Sequence, residues 1–382
     1  MSLEAPPLAL YLHFPWCVRK CPYCDFNSHA AGADMPAAAY VEALARDLDS
    51  QAPRVPGREV ISVFLGGGTP SLFSPEQIGE VLVHARRVLR FAADVEVTLE
   101  ANPGTIERGH FAGYRDAGVN RVSLGAQSFD DAALQRLGRI HAADDTRRAA
   151  EELHASGLVN FNLDLMYALP EQSVAAAERD VAAALQLVPA HLSHYQLTLE
   201  PGTLFGARPP AGLPDDDAAA EMLQRCQERL LAAGFEQYEV SAYARPGRRC
   251  RHNLNYWGFG DYLGVGAGAH GKLTDAASGR IVRTTRPREP RRYLAQVQAP
   301  GVEEKPIAPA DLPFEYMMNA LRRVEGCSRV EFESRTGLPW SAVRATLELA
   351  MRDGLVFADG DCWRTTPLGA RFLNDLVGRF LP

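Results

Sequence analysis

Three cysteines near the start of the chain are spaced so that they could bind one metal centre. Cys17, Cys21 and Cys24 fall within eight positions, whereas the other four cysteines are scattered over the 382 residues. Three neighbouring thiolates would repel each other by roughly 4 kcal/mol per pair at 4 Å and an intermediate dielectric, so a positive centre must accompany them if all are ionised. Zinc usually takes four ligands and no histidine has zinc-finger spacing here, whereas iron–sulfur clusters bind thiolates. The spacing predicts an iron–sulfur cluster with one iron open to an outside ligand; the alternative is a set of buried, metal-free cysteines.

A glycine turn and a set of polar residues could bind a ligand beside that centre. The turn Gly66-Gly67-Gly68-Thr69 would let backbone groups approach a ligand closely, and it lacks the lysine of a P-loop. The polar residues on successive predicted strands or just after them are Glu100, Gln127, Arg139 and Asp164. Carboxylates accept from ribose hydroxyls, and a guanidinium can fork onto a carboxylate. Each feature alone is an ordinary turn, cap or surface residue, but together they favour one pocket.

A histidine lies among aromatic residues later in the chain. His252 is followed by Tyr256 and Trp257, directly before Gly258-Phe-Gly260. A neutral imidazole is a common axial ligand of haem iron, and flat rings suit a porphyrin face. A single histidine beside aromatics is usually structural, so the stretch alone leaves both interpretations open.

The elements that must position these residues alternate between short strands and helices. The predicted strands are Leu8–Phe14, Val60–Leu65, Val95–Leu99, Arg121–Leu124, Phe161–Met166 and His194–Leu199. The helical segments between them include Pro36–Leu48, Pro75–Leu89, Ala132–Leu137 and Ala175–Leu187. Alternation of this kind predicts an α/β fold with a parallel sheet and right-handed crossovers. Six units are too few for a closed eight-stranded barrel, so we expect a partial barrel or a doubly wound sheet with ligands at the carboxyl ends of its strands.

Composition sets limits on location and partners. The chain is 46% hydrophobic and 23% charged, which is enough to bury an ordinary core. A net charge of −7 gives no overall attraction to nucleic acid or to an anionic membrane. The N-terminus lacks the basic start and apolar stretch of a secretory signal, and no apolar run is long enough to span a bilayer. We therefore expect a cytoplasmic protein.

A change in composition near residue 300 predicts a domain boundary. Proline and glycine mark a linker at Gln298–Gly301. We assign residues 1–300 to the core domain, in which residues from about 240 to 300 form an extension that carries His252. Residues 301–382 form the second domain.

The second domain is expected to resemble a winged helix. Two amphipathic helices are predicted at Leu312–Val324 and Ser341–Arg352, and a hairpin at Phe357–Thr365. Arginines such as Arg322 and Arg323 leave nucleic-acid binding as a third hypothesis, although acidic residues interleave with them. Winged-helix shapes often serve as lids or interfaces, and fold does not fix function, so we expect no nucleic-acid partner.

The cysteine spacing, with Tyr23 before the third cysteine, resembles the signature of the radical S-adenosylmethionine (SAM) superfamily. The resemblance implies a partial (β/α)6 barrel and a [4Fe–4S] cluster on Cys17, Cys21 and Cys24. Its free iron would take the amino and carboxylate groups of SAM, with Tyr23 beside the adenine. The resemblance also implies a list of further SAM-binding residues: Tyr11, Gly67, Gly68, Thr69, Glu100, Gln127, Arg139 and Asp164, of which the polar ones match the anaerobic coproporphyrinogen-III oxidase family.

Within that family the chain resembles the haem chaperone branch, HemW. The stretch from His252 to Trp257 fits the motif His-Asn-x-x-Tyr-Trp of that branch. Phe26 stands where the coproporphyrinogen dehydrogenase has a further cysteine, and the sequence begins almost at the first strand. The runs at 197–203 and 366–375 agree with the same branch. The implied haem-binding residues are His252, Asn253, Tyr256 and Trp257.

The resemblance implies a protein that binds haem and delivers it to acceptor haemoproteins, with the cluster supporting this activity or dimerisation. A homodimer is left open, and membrane contact is expected to be at most peripheral, through acceptors. The alternative is an enzyme that decarboxylates coproporphyrinogen III without oxygen, using a 5′-deoxyadenosyl radical. Whether the protein is an enzyme is left open, and no catalytic residue is assigned.

Overall fold

Strands of one large sheet run through most of the chain. The computed structural model describes residues 3–32, 34–105, 110–296 and 302–382. Its strands are β1 (Leu8–Phe14), β2 (Trp16–Cys17), β3 (His29–Ala30), β4 (Glu59–Gly67), β5 (Arg90–Ala101), β6 (Arg121–Gln127), β7 (Phe161–Tyr167), β8 (His191–Gln196), β9 (Glu236–Gln237), β10 (Ala242–Ala244), β11 (Asp261–Val265), β12 (His270–Asp275), β13 (Arg280–Thr285), β14 (Glu303–Pro306), β15 (Cys327–Ser328), β16 (Val356–Asp359) and β17 (Cys362–Thr365).

Helices follow most of these strands. They are α1 (Ala37–Gln51), α2 (Pro75–Val88), α3 (His110–Asp116), α4 (Asp131–Arg136), α5 (Ala143–Ser156), α6 (Val174–Gln186), α7 (Leu204–Ala207), α8 (Asp216–Ala232), α9 (Arg251–Trp257), α10 (Pro290–Gln296), α11 (Leu312–Ala320), α12 (Arg329–Thr336), α13 (Ser341–Arg352), α14 (Pro367–Arg371) and α15 (Leu373–Gly378). The predicted helical segments agree with α1, α2, α4 and α6 to within three residues at each end. Within the described residues, none of these helices has the length and hydropathy needed to cross a bilayer.

Six parallel strands form the partial barrel. β1, β4, β5, β6, β7 and β8 are hydrogen-bonded neighbours in sequence order, and each adjacent pair is parallel. β11 then pairs in parallel with β1, and β12, β13 and β14 continue the sheet as antiparallel neighbours. The prediction of a partial (β/α)6 barrel is confirmed.

Alternation along the strands separates the core from the barrel interior. In β1, Leu10 and Leu12 belong to the main hydrophobic core, whereas Tyr11 lines a cavity inside the barrel. In β5, Leu99 is in the core and Glu100 lines the same cavity. Because successive side chains of a strand point to opposite faces, each apolar residue toward the helices places a neighbour toward the interior.

The sixth strand was predicted three residues too late. β8 runs over His191–Gln196 rather than His194–Leu199. Its start is set by antiparallel pairing with β10, in which His191 lies opposite Ala244. The His191 imidazole also bonds to interior groups, which a search for apolar runs does not detect. Leu197 is buried in a separate small cluster beyond the strand end.

The C-terminal part has its own hydrophobic core, built from α11, α12, α13, α15 and the sheet of β15, β16 and β17. The predicted helix at 341–352 and the hairpin are observed, whereas α11 ends at Ala320 rather than Val324. The predicted linker Gln298–Gly301 lies outside the described residues, and β14 just after it still pairs with β13. The proposed division at residue 300 stays a prediction.

Candidate functional site

A short two-stranded ladder closes the loop that carries the three cysteines. β2 and β3 pair so that Cys17 lies opposite Ala30. The backbone N–H of Ala31 donates to the Cys17 carbonyl at 2.7 Å. Cys21 and Cys24 lie between these strands, and the Cys24 N–H donates to the Cys21 carbonyl at 3.2 Å. The ladder thus brings the three thiols together on one loop.

Burial and the neighbouring thiols raise the pKa of two of the cysteines, Cys17 and Cys24. For Cys17, burial is the largest cause, charges at Cys24 and Cys21 add to it, and a hydrogen bond with Thr69 opposes it. Burial also raises the pKa of Cys24. Arg139 donates from Nη1 to the Cys21 sulfur at 3.6 Å. Three thiolates here therefore need added positive charge, which an iron–sulfur cluster would supply.

The donor atoms of the cysteine loop are of the type that iron–sulfur clusters bind. Within the described ranges, no three His, Cys, Asp or Glu side chains are gathered tightly enough to hold one metal ion. Each cysteine of a [4Fe–4S] cubane binds a different iron, so its thiolates stand farther apart than the ligands of one zinc ion. The donor set of three thiols and no histidine agrees with that chemistry.

The glycine turn is tied into the barrel by its own N–H groups. The N–H groups of Gly67, Gly68 and Thr69 donate, respectively, to Glu100 Oε2 at 3.0 Å, the Phe14 carbonyl at 2.7 Å and the Trp16 carbonyl at 2.7 Å. Gly67 has φ +111°, which favours glycine. A Cβ on Gly68 would lie 2.5 Å from the Trp16 carbonyl oxygen. A ligand at this turn would therefore meet the carbonyl oxygens of the turn, which can accept hydrogen bonds from an ammonium group.

The carboxyl groups of Glu100 and Asp164 are near enough inside the barrel to interact electrostatically. Burial and the charge of Asp164 raise the pKa of Glu100 to about 7, and its bond from the Gly67 N–H opposes this. Burial likewise raises the pKa of Asp164, which accepts from Asn162 Nδ2 at 2.8 Å and from Ser123 Oγ at 3.2 Å. Near neutral pH, Glu100 is present in both protonation states, so it can donate a hydrogen bond to a ligand hydroxyl or accept one from it.

The end of β6 connects the polar residues to the cysteine loop. Gln127 has φ +68°, and its Oε1 accepts from the Tyr195 hydroxyl at 2.8 Å. Burial raises the pKa of Tyr23, while nearby Arg139 lowers it and Cys21 raises it further. Arg139 donates both to the Cys21 sulfur and to the Gly125 carbonyl of β6, and the charges of Arg139 and Cys21 act on Tyr23.

One cavity of about 430 Å³ joins both groups of predicted residues. Tyr11, Gly67 and Glu100, predicted to bind SAM, line it together with Tyr256 of the haem motif. Phe26 lines it from the cysteine loop. Three of the nine predicted SAM residues and one of the four haem-motif residues therefore meet at the same opening.

His252 lies one layer deeper than this cavity. Its side chain is 1% exposed, and its Nδ1 lies 3.1 Å from the Ser62 hydroxyl. The ring stacks on Phe64 with centroids 4.9 Å apart, and Tyr256 packs edge-on at 4.6 Å. Its Nε2 is buried without a hydrogen-bond partner among the described residues. Burial, with a smaller contribution from Arg121, lowers the pKa of His252 to about 3, so the imidazole is neutral.

The haem motif is divided between two faces of α9. His252 and Tyr256 are four residues apart and share the face toward the barrel interior. Trp257 lies on the next face, where the guanidinium of Arg322 sits 4.4 Å from its ring centroid. Asn253, four residues before Trp257, is half-buried. The structure brings together two of the four predicted haem residues and places Trp257 against the C-terminal part.

Seven residues that line the cavity were missed by the sequence analysis: His13, Asp25, Asn27, Tyr262, Gly268, His270 and Arg288. Asn27 donates from Nδ2 to the carbonyls of Ala267 and Arg288, at 3.0 and 2.9 Å. These bonds join the cysteine loop to the turn between β11 and β12 and to the end of β13. The glycine-rich run before His270 could have marked a close backbone approach there, since a Cβ on Gly268 would lie 2.1 Å from Asn27 Nδ2.

Known proteins resemble this chain over almost its full length. The family model described as Radical SAM superfamily matches residues 11–183, and that of the HemN C-terminal domain matches residues 307–372. A protein of Escherichia coli named heme chaperone HemW is 50% identical over 380 residues, which cover 99% of both chains. The protein of the same name from Haemophilus influenzae is 47% identical, again over 99% of both. The chain belongs to the HemW family of radical SAM proteins.

The fold of this family is shared with a solved enzyme. Coproporphyrinogen III oxidase (HemN) from Escherichia coli superimposes with a TM-score of 0.83, covering 98% of this chain and 90% of that chain. The two sequences are 23% identical, so the likeness establishes the fold and not the activity. The radical SAM resemblance predicted from the cysteine loop is confirmed.

Proposed function

We propose that this protein is a haem chaperone that carries a [4Fe–4S] cluster and SAM, and that it transfers haem to acceptor haemoproteins. The observation that carries the proposal is 50% identity over 99% of both chains with a protein named heme chaperone HemW. The cytoplasmic location, the homodimer and the identity of the acceptors remain predictions.

The cysteine loop and the barrel interior support the cofactor part of the proposal. Cys17, Cys21 and Cys24 would hold the cluster, which when bound supplies an open iron that chelates amino and carboxylate groups. Carbonyl oxygens at Gly67 would accept from the ammonium of SAM. Glu100, with a pKa raised to about 7, would bind the ribose hydroxyls.

The remaining predicted SAM residues have chemistry that suits the nucleoside. Tyr23 would lie against the adenine, near Arg139, whose charge already acts on it. Gln127 and Asp164 are fixed by bonds from Tyr195 and Asn162, so their oxygens are held in place before a ligand arrives. Groups held in this way lose little conformational entropy on binding.

The cavity supports the haem part of the proposal. Its volume of about 430 Å³ falls in the range of small-molecule pockets. Tyr256 and Tyr262, which pack edge-on with centroids 4.4 Å apart, give it aromatic surface. His252 lies behind Tyr256, so direct ligation of iron by its unpaired Nε2 would require the Tyr256 ring to swing away.

An anaerobic titration tests the proposal. Protein reconstituted with iron and sulfide is titrated with ferric haem, and the loaded protein is then mixed with apomyoglobin as a generic acceptor. We expect saturable haem binding followed by growth of the myoglobin Soret band. Cys24→Ser should lose the cluster chromophore, and its haem curve shows whether the cluster supports haem binding. Wild-type protein that contains iron and sulfide but binds no haem would refute the chaperone function.

The enzymatic alternative is tested with the same preparation. Reduced protein is incubated anaerobically with coproporphyrinogen III and SAM, and the products are separated by chromatography. Formation of protoporphyrinogen over many turnovers would favour the dehydrogenase over the chaperone. Cleavage of SAM alone would not distinguish the two, because both functions accommodate it.

A further inference from the structure

We propose that haem enters the 430 Å³ cavity between the cysteine loop and β11–β13, where His270 provides the axial ligand and Arg288 binds a propionate. This inference rests on the proposed haem-chaperone function and assigns the ligand to a residue outside the His252 motif. It follows from which imidazole around the cavity can be reached from solvent.

Two histidines line this cavity, His13 and His270, and His252 lies one layer behind it. His13 uses both ring nitrogens, Nδ1 with the Tyr11 hydroxyl and Nε2 with the Asn27 carbonyl, each at 2.9 Å. His252 is 1% exposed and is covered by Tyr256. Iron binding by either would require breaking these contacts first.

His270 meets the requirements that the other two do not. It is exposed at the start of β12 and lines the cavity. Among the described residues its ring has no hydrogen-bond partner, so both nitrogens are available to an incoming metal. Burial, Arg283 and Arg288 lower the pKa of His270, which keeps the imidazole neutral, as ligation requires.

The backbone holds His270 firmly at this opening. A Cβ on Gly264 of β11 would lie 1.9 Å from the His270 carbonyl oxygen, so the two strands approach more closely than any other residue would permit. The turn before His270 is held by the bond from Asn27 Nδ2 to the Ala267 carbonyl at 3.0 Å. A ligand on such a support keeps its direction without ordering a mobile loop.

Arg288 gives the cavity a cation on its outer side. Its carbonyl accepts from Asn27 Nδ2 at 2.9 Å and lies 3.3 Å from His29 Nε2, which fixes the backbone. Within the described residues its guanidinium forms no ion pair, and its residue is exposed. The carboxyl groups that line the cavity, Asp25 and Glu100, would repel propionates. A haem here would therefore turn its propionates toward Arg288.

Aromatic residues supply the flat surface that a porphyrin needs. Phe26 is 60% exposed at the cavity although it is a large apolar side chain. Tyr256 and Tyr262 line the same space, and the Tyr262 hydroxyl accepts from Arg283 Nη1 at 2.6 Å. Burying an exposed phenylalanine against a macrocycle would gain hydrophobic free energy that the free protein lacks.

The test compares haem spectra of single variants of the full-length, reconstituted protein. We expect His270→Ala to shift the Soret band and to raise the Kd for ferric haem about tenfold, with free imidazole restoring the wild-type spectrum. His84→Ala, which removes an imidazole bonded to Asp49 far from the cavity, serves as the matched control and should leave both unchanged. A wild-type Soret band and Kd in His270→Ala would overturn the assignment.

Arg288 is tested by changing the ligand as well as the protein. We expect Arg288→Ala to weaken binding of haem about threefold to tenfold, and to leave binding of haem dimethyl ester unchanged, because the ester has no carboxylates. Equal losses for haem and for its ester would overturn the propionate contact. Wild-type protein that binds no haem would refute the proposed function itself, whereas normal binding with an unchanged His270→Ala spectrum refutes only this inference.

Discussion

Replacing His252 tests whether its imidazole has a structural role or binds iron. In His252→Ala the lost ring leaves a cavity against Phe64 and Tyr256, which costs about 3 kcal/mol in a packed interior. Loss of the Ser62 hydrogen bond adds about 1 kcal/mol, and removal of the unpaired Nε2 returns about 1–2 kcal/mol. We therefore expect the free energy of unfolding to fall by about 2–3 kcal/mol.

His252→Phe is the informative partner of that variant. A phenyl ring keeps the contacts with Phe64 and Tyr256 and brings no unpaired nitrogen, so only the Ser62 bond is lost. Losing that bond costs about 1 kcal/mol and removing the unpaired Nε2 returns about 1–2 kcal/mol, so we expect a stability equal to that of wild type or up to about 1 kcal/mol above it. In the Phe background Ser62→Ala should cost almost nothing, because its partner is already gone.

Thermal unfolding of the cofactor-free protein, followed by near-ultraviolet circular dichroism, measures these differences. The alanine variant should unfold about 3–4 °C below wild type, and the phenylalanine variant at the wild-type temperature or about 1 °C above it. An alanine variant within about 1 °C of wild type, or equal losses in both, would refute the packing argument. If both variants fold but only wild type binds haem with its normal spectrum, His252 is the ligand and our assignment to His270 is wrong.

Three further predictions concern protonation and backbone space. The pKa of Glu100 is raised to about 7, so the folded protein keeps a proton that the unfolded chain loses above pH 4.5 or so. The free energy of unfolding should therefore fall as the pH rises from about 4.5 to about 7. Denaturant titrations at several pH values should show that Glu100→Gln removes up to about 3 kcal/mol of this fall. The pKa of His252 is lowered to about 3, so below about pH 6.5 the unfolded chain binds a proton that the folded protein does not. Between pH 7 and pH 5, the free energy of unfolding of wild type should therefore fall by about 2 kcal/mol more than that of His252→Phe. Parallel pH profiles of the two proteins would contradict this. Gly68→Ala should lower the melting temperature, because its Cβ would lie 2.5 Å from a backbone oxygen. Gly79→Ala in α2 should raise the melting temperature slightly, because the nearest atom to its Cβ is 3.5 Å away and alanine favours a helix. A change of the same sign in both variants would contradict the steric argument.

The barrel could be predicted because its strands are short apolar runs between helical segments. β1 was predicted with both ends correct, since every second residue from Leu8 to Phe14 is apolar and buried. The strands β11 and β12 were missed because each contains a glycine, Gly264 or Gly271, that lowers strand propensity, whereas β13 was missed although it contains none. Those glycines are required by the close approach of neighbouring backbones, which only the three-dimensional structure reveals.

The candidate site was predictable where residue spacing sets the chemistry. The spacing from Cys17 to Cys24 indicated a metal centre on its own, whereas the depth of His252 depends on packing by Phe64 and Tyr256, from other parts of the chain. The exposed position of His270 likewise follows from how β12 pairs, and no local pattern distinguishes it from a buried histidine. Motif matching therefore pointed to α9, which borders the cavity through Tyr256, without showing which imidazole solvent can reach.

A shared cavity has a thermodynamic consequence for the two proposed ligands. Tyr11 and Glu100 on the SAM side and Tyr256 on the haem side line one space, so one ligand changes the surface that the other meets. Whatever factor SAM applies to the haem Kd, haem must apply to the SAM Kd, because the two orders of addition end in the same complex. Calorimetric titrations of the reconstituted protein in both orders measure the two factors. We expect the factor for haem and the factor for SAM to be equal to each other and different from one. Factors of one in both orders would place the ligands in separate spaces and contradict the cavity assignment.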